Sequence, residues 1–193
     1  MATLHVMVGL PCSGKTTQAK ILEKEYNALL LTTDKWHVKL FGNDVIWETH
    51  DKIHGIIEKI IWEVAERVLF LGNDVIIDFG FWGREERKYW KNKAKEIGVN
   101  FKMYVMDVSD EELLKRLEIR NKNPGDSFII PKEKMLEYIK MFQPVDQDEI
   151  DELQGTNNKN NCKKCDAVQV EVIKCQAPNL HSVVTPHGTP PIA

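Results

Sequence analysis

The sequence predicts an α/β domain in which a parallel sheet carries helices on both faces. Three observations lead there. Short apolar, β-rich stretches alternate with longer helical patterns along most of the chain. A glycine-bearing loop joins the first strand directly to the first helix. The chain has 193 residues, 42% of them hydrophobic and 28% charged, so it can close a core and is not globally disordered.

Each element has its own signal. Thr3–Val8 is short and apolar and runs into a glycine loop, as a buried parallel strand does. Lys15–Tyr26 follows as a helix, and 28–31 (ALLL) as a second buried strand. Asp34 stands where an N-cap would start the short helix 35–41, which Gly42 and Asn43 stop. In 51–71 apolar residues recur at helical spacing for about six turns, up to Gly72. His50 and His54 are four apart there and are expected on the helix surface. The third strand is 75–77, ending at Asp78, and 84–97 is a charged helix closed by Gly98. The fourth strand is 101–108. Ser109 with Glu112 forms a capping box for a helix to about 121. Asn123-Pro124-Gly125-Asp126 is a turn, and 131–142 is a helix with Pro in its first turn. Beyond Pro144 the pattern weakens: 145–167 is expected as a long polar loop, and 168–173 (VQVEVI) is the candidate fifth strand.

Composition narrows the function classes. The net charge is −3, which argues against general affinity for nucleic-acid backbones. Four Lys against two acids after residue 153 leave −5 on the rest, an acidic body with a slightly basic C-terminal segment. No apolar run approaches the ~20 residues of a membrane span. The start MATLHVMVGL has no basic residue ahead of its apolar stretch, unlike a signal peptide, and four cysteines are too few for a disulfide scaffold. A cytoplasmic enzyme is the expectation. Cys162-x₂-Cys165, Cys175, His181 and His187 lack the paired spacing of a zinc site and are read as incidental.

The loop Gly9-Leu-Pro11-Cys12-Ser13-Gly14-Lys15-Thr16 matches G-x-x-x-x-G-K-[ST], between a strand and a helix as that P-loop motif requires. Its backbone N–H groups form an anion cradle at a helix N-terminus. Lys15 brings a cation to the β and γ phosphates of a nucleotide, the Thr16 hydroxyl suits Mg²⁺, and Thr17 follows in the same turn. No N-K-x-D guanine signature occurs, which favours ATP over GTP. Further candidates follow the strands, where open α/β sheets bind ligands. Asp34 and Asp78 are two carboxylates suited to two jobs, one to accept the proton of an attacking hydroxyl and the other to orient Mg²⁺ or hold the substrate. Trp82, Arg84 and Arg87 offer an aromatic wall and cations beside the acceptor. Arg116 and Arg120, four apart on one helix face, suit a phosphate clamp on a lid spanning about 116–130.

GLPCSGKTTQAKIL, TTD, VIIDFGFWGREER, DVSDEELLKRLEIRN and MLEYIKMFQPVDQDE together resemble the AAA_33 family of P-loop kinase-like proteins over about residues 3–150. That group is similar to polynucleotide 5′-kinases, chloramphenicol phosphotransferase and zeta-type toxins. The resemblance implies a sheet order of 2-3-1-4-5, ATP:hydroxyl phosphotransfer, Asp34 as the acceptor-side base, and Arg116 and Arg120 in the lid. One departure stands out. Where nucleic-acid and toxin relatives often carry D-x-x-R, this chain has Asp34-Lys35-Trp36-His37. That weakens the polynucleotide reading.

The expectation is therefore a P-loop, nucleoside-kinase-like domain over 1–174 with a tail over 175–193. It would move the γ-phosphoryl of Mg·ATP to a hydroxyl of a small molecule, with Lys15, Asp34 and Arg120 at the chemistry and His37 beside the acceptor. A polynucleotide 5′-hydroxyl kinase, with a groove of Lys35, His37, Lys39, Arg84, Arg87 and Lys88, and an ATP-sensing or ATPase module are the alternatives.

Overall fold

The computed structural model describes residues 1–42, 47–124, 128–154 and 168–174. The tail from 175 and the cysteine-bearing stretch 155–167 lie outside them. Elements run β1 (Thr3–Val8), α1 (Lys15–Tyr26), β2 (Leu29–Thr32), α2 (Thr33–Phe41), α3 (Trp47–Phe70), β3 (Val75–Gly80), α4 (Arg84–Glu96), β4 (Asn100–Asp107), α5 (Asp110–Lys122), α6 (Lys132–Met141), α7 (Gln147–Gln154) and β5 (Val168–Lys174). All strand pairs are parallel and the order is β2-β3-β1-β4-β5.

The central strand explains the two-faced cover. Along β1, Leu4, Val6 and Val8 join Ile57, Ile61, Trp62, Trp90 and Ala94 on the α3–α4 side. Met7 points the other way, onto Ala19 and Leu22 of α1. Alternation of period two therefore buries both faces, and the one buried polar side chain of β1, His5 at 1% exposure, is held by the Tyr104 hydroxyl at 3.1 Å. A third cluster packs Leu113 and Leu117 of α5 and Met135 of α6 against Leu10 of the glycine loop. It roofs the loop.

Two local expectations are corrected. Helix α2 starts two residues earlier than expected. Thr32 takes the N-cap position and Asp34 lies inside the first turn, where the helix dipole favours its charge. The expected polar loop from 145 begins with α7. Only Ile150 and Leu153 are apolar in QDEIDELQ, so no helical stripe is visible in sequence. Besides Leu153, at 3% exposure, it buries a charge: Glu149 is 2% exposed.

Glu149 receives Arg87. The guanidinium donates from Nε and Nη2 to the two Glu149 carboxylate oxygens, both at 2.6 Å, and from Nη1 to the carbonyls of Phe81 and Trp82, both at 3.0 Å. A fork matched to a carboxylate, with Nη1 also bonded to two carbonyls, is the geometry in which a buried pair is tolerated. It fixes the turn after β3, where Phe81 holds φ +48°, a left-handed conformation rare for a bulky residue.

Candidate active site

The loop after β1 is held from below. Gly9 N donates to the Gly80 carbonyl at 2.8 Å, and Trp82 Nε1 donates to the Gly9 carbonyl at 3.1 Å. Both glycines are required. Gly9 has φ +148°, and a Cβ there would lie 2.8 Å from Ser13 Oγ. Gly80 has φ +111°, and its Cβ would lie 2.6 Å from Trp82 Nε1. Gly14, at φ +96°, ends the loop and opens α1.

The loop borders a cleft of about 840 Å³. Pro11, Cys12, Gly14, Lys15, Thr16 and Thr17 line it at one end. Lys15 Nζ donates to the Leu10 carbonyl at 2.8 Å, folded back over the loop. Burial pushes its pKa down, against Asp78 and Asp34, which support its charge. Thr16 Oγ1 donates to Asp78 Oδ2 at 2.6 Å, joining the start of α1 to the end of β3. Asp78 is 6% exposed and its Oδ1 has no partner among the described residues. Burial raises its pKa, with Lys15 and Thr16 opposing. An oxygen pair with a buried acceptor to spare suits a hard divalent cation such as Mg²⁺. Ser13 is buried within the loop, and its Oγ has no partner among the described residues.

From α5, Arg116 and Arg120 reach the same end. Arg116 pairs with Glu112 at 2.7 Å and reaches the Cys12 carbonyl at 3.5 Å. Arg120 donates to the Phe128 carbonyl at 3.2 Å. Arg116 Nη2 and Arg120 Nε are buried without partners among the described residues, two donors that suit phosphate oxygens. Residues 125–127 of the expected lid lie outside those described.

Asp34 lines the cleft from α2 with a half-exposed side chain. His54 Nε2 approaches its Oδ1 at 3.3 Å and His54 Nδ1 approaches Glu58 Oε1 at 3.2 Å. Desolvation works against the charge of both partners, but their mutual bond prevails. His54 is raised to about 9 and Asp34 is held below the usual carboxylate range. At neutral pH an imidazolium therefore donates to two carboxylates. The expectation of a surface His50/His54 pair is corrected: His54 lines the cleft and His50 is 9% exposed. The i, i+4 spacing put both on one face, but only the fold turns that face inward.

Three other expectations change. Arg87 is fully buried on Glu149 and reaches no ligand space. Arg84 leaves the cleft for Glu152 and Asp146, at 3.1 and 3.6 Å, and Lys88 likewise meets Glu152 at 3.1 Å. The helix of Arg84 turns its basic face toward acidic α7, which the sequence reading lacked. His37 is 4% exposed and packs behind the cleft wall, 5.0 Å from the His50 ring and 4.9 Å from Phe128. Trp82 does line the cleft, its ring 4.8 Å from that of Tyr138. Besides His54, sequence reasoning missed Asp51, Glu58, Glu86 and Tyr138, all on the cleft wall.

Solved structures with the same fold are diverse. A protein from Chloroflexus aurantiacus proposed to be a kinase aligns with TM-score 0.65 and 13% identity, covering 90% of this chain and 85% of that one. A sugar kinase from Janibacter sp. aligns at 0.56 and 16%, covering 90% and 85%. A chain of the Pnkp1/Rnl/Hen1 RNA repair complex aligns at 0.61 and 24%, but over 72% of this chain and only 43% of that one. No curated protein matches. At such identities the likenesses establish a P-loop kinase-like fold. The AAA_33 model, an AAA domain, matches residues 4–145, well over half of the sequence, and the chain belongs to that family.

Proposed function

We propose that the protein transfers the γ-phosphoryl group of Mg·ATP to a hydroxyl of a small-molecule acceptor. The observation that carries this is the placement of Asp34. Its carboxylate opens on the same cleft as the phosphate loop, with Oδ1 occupied by His54 and Oδ2 left to meet a hydroxyl.

The roles follow from where charge develops. The loop N–H groups and Lys15 hold the β and γ phosphates, and Arg116 and Arg120 supply unpaired donors beside them. Thr16 and Asp78 would hold Mg²⁺, which, when bound, offsets phosphate charge. Asp34 orients the acceptor hydroxyl and takes its proton as the new P–O bond forms and the β–γ bridge bond breaks, releasing ADP. A carboxylate held in its charged form serves better here as an orienting group than as a strong base.

A small molecule is favoured over a polynucleotide end. Three of the cations expected to line a nucleic-acid groove are engaged elsewhere, Arg87 by Glu149 and Arg84 and Lys88 by Glu152. The test follows γ-labelled phosphate from Mg·ATP into a total cell extract split into nucleic-acid and small-molecule fractions, with Lys15→Ala as control. Lys15-dependent label in the small-molecule fraction is the expected result. Label on polynucleotide ends would overturn the acceptor class, and label only in free phosphate would overturn transfer itself in favour of an ATPase.

A further inference from the structure

We infer that the acceptor is a cation: a hydroxyl compound carrying a protonated amine or a guanidinium. This rests on the phosphotransferase reading and names its substrate class.

The cleft divides its charge between its ends. At the loop end, Lys15, Arg116 and Arg120 face one cleft-lining acid, Asp78, and Arg116 also pairs with Glu112 at 2.7 Å. Around Asp34 the balance reverses. Asp51 and Glu58 come from α3 and Glu86 from α4, giving four carboxylates with Asp34 itself. Lys15 and Arg120 act on Asp34 from the loop end, and the cations on that side itself are His54 and Lys134. Neither is spare. His54 spends both ring N–H groups on Asp34 and Glu58, and Lys134 Nζ lies 2.9 Å from Glu137.

Glu86 marks where the surplus is felt. It accepts a hydrogen bond from Gly83 N at 3.4 Å. Burial raises its pKa first and the charge of Glu58 raises it further. Two carboxylates pressing on one another in a partly dry cleft are relieved by a ligand cation and opposed by a ligand anion.

The wall carries a second kind of cation-binding surface. The Trp82 and Tyr138 rings meet at 4.8 Å, tilted by 54°, both line the cleft together with Phe79, and Lys134 Nζ lies 5.5 Å from the Tyr138 ring centroid, a cation already seated on this wall. Aromatic faces attract ammonium and guanidinium groups through their quadrupole, most strongly where water is excluded. Aromatic faces beside carboxylates hold an organic cation better than a bare metal ion, which would prefer oxygen donors alone. A neutral sugar would leave the carboxylate surplus unrelieved, and a sugar acid would add to it.

The experiment separates a total metabolite extract at pH 7 into cation-exchange-retained, neutral and anion-exchange-retained fractions. Each is offered with γ-labelled Mg·ATP to the wild-type protein and to Lys15→Ala. Lys15-dependent transfer in the cation-retained fraction is expected. Transfer confined to the neutral or anionic fraction would overturn the inference and leave the kinase reading standing. Lys15-dependent transfer in no fraction would overturn the kinase reading and this inference with it. The double variant Glu58→Gln/Glu86→Gln keeps both hydrogen-bond acceptors and removes both charges. It should raise KM for the cationic fraction about tenfold. An equal rise for a neutral hydroxyl acceptor, or none for the cationic one, would also overturn the inference.

Discussion

The His54 ring stands between two acids, 3.3 Å from Asp34 Oδ1 and 3.2 Å from Glu58 Oε1. Its folded pKa, about 9, exceeds its ordinary value of 6.5. The bound proton therefore stabilises the fold fully below pH 6.5, and that contribution fades as pH rises toward 9. Wild-type protein should lose stability across this window, while His54→Gln should be flatter. The neighbouring rings of His37 and His50 have lowered values, so their contribution falls on the acid side, below 6.5. Urea midpoints at pH 6.5 and 9 for both proteins decide it. Parallel losses would show that the His54 proton is not the source.

Asp34→Asn removes the charge that orients the acceptor and keeps the shape. Transfer should fall by about 10²- to 10⁴-fold. Mg·ATP binding, read by calorimetry, should persist because the loop, Lys15 and the α5 arginines are untouched. Unchanged transfer would remove Asp34 from its role.

Arg87→Met should strand the Glu149 carboxylate in the core. The expected cost is about 3–5 kcal/mol in denaturant unfolding. Replacing Glu149 by Leu in the same chain should restore much of it, because the penalty lies in the orphaned charge. Additive losses in the double variant would instead mean that the two residues act separately.

Gly55 lies inside α3, lines the cleft one residue beyond His54, and has open space where a Cβ would be. Gly55→Ala should stabilise the protein by about 0.5–1 kcal/mol, since glycine costs that much in a helix interior. The added methyl enters the acceptor end, so acceptor KM should rise while the melting temperature rises too. A stabilised protein with unchanged acceptor KM would place the acceptor elsewhere in the cleft.

The parts of the fold that were legible share one property: their own sequence carries the signal. The glycine loop, the buried strands and the helix from 15 to 26 are dictated by local sterics and by burial on both faces. The Thr16–Asp78 contact follows because β3 lies beside β1, so its end comes next to the start of α1. What escaped depends on partners far along the chain. Arg84 and Arg87 follow a strand end and therefore looked like ligand contacts, yet α7 draws one inward and the other sideways. Helix α7 was itself hidden, because the face it buries is led by Glu149. His54 was hidden for the converse reason, a polar residue on a long helix whose inner face happens to border the cleft.

Arg87 also ties distant parts of the molecule into one mechanical path. From Glu149 in α7 the hydrogen bonds run through the guanidinium to the Trp82 carbonyl, and from the Trp82 indole to the Gly9 carbonyl. The acidic helix near the chain's end is thus a brace for the phosphate loop near its beginning. Cutting the chain ahead of residue 147 would release Arg87 from its counter-charge and slacken the seat of the loop. Helix α7 would then govern nucleotide affinity although none of its residues lines the cleft.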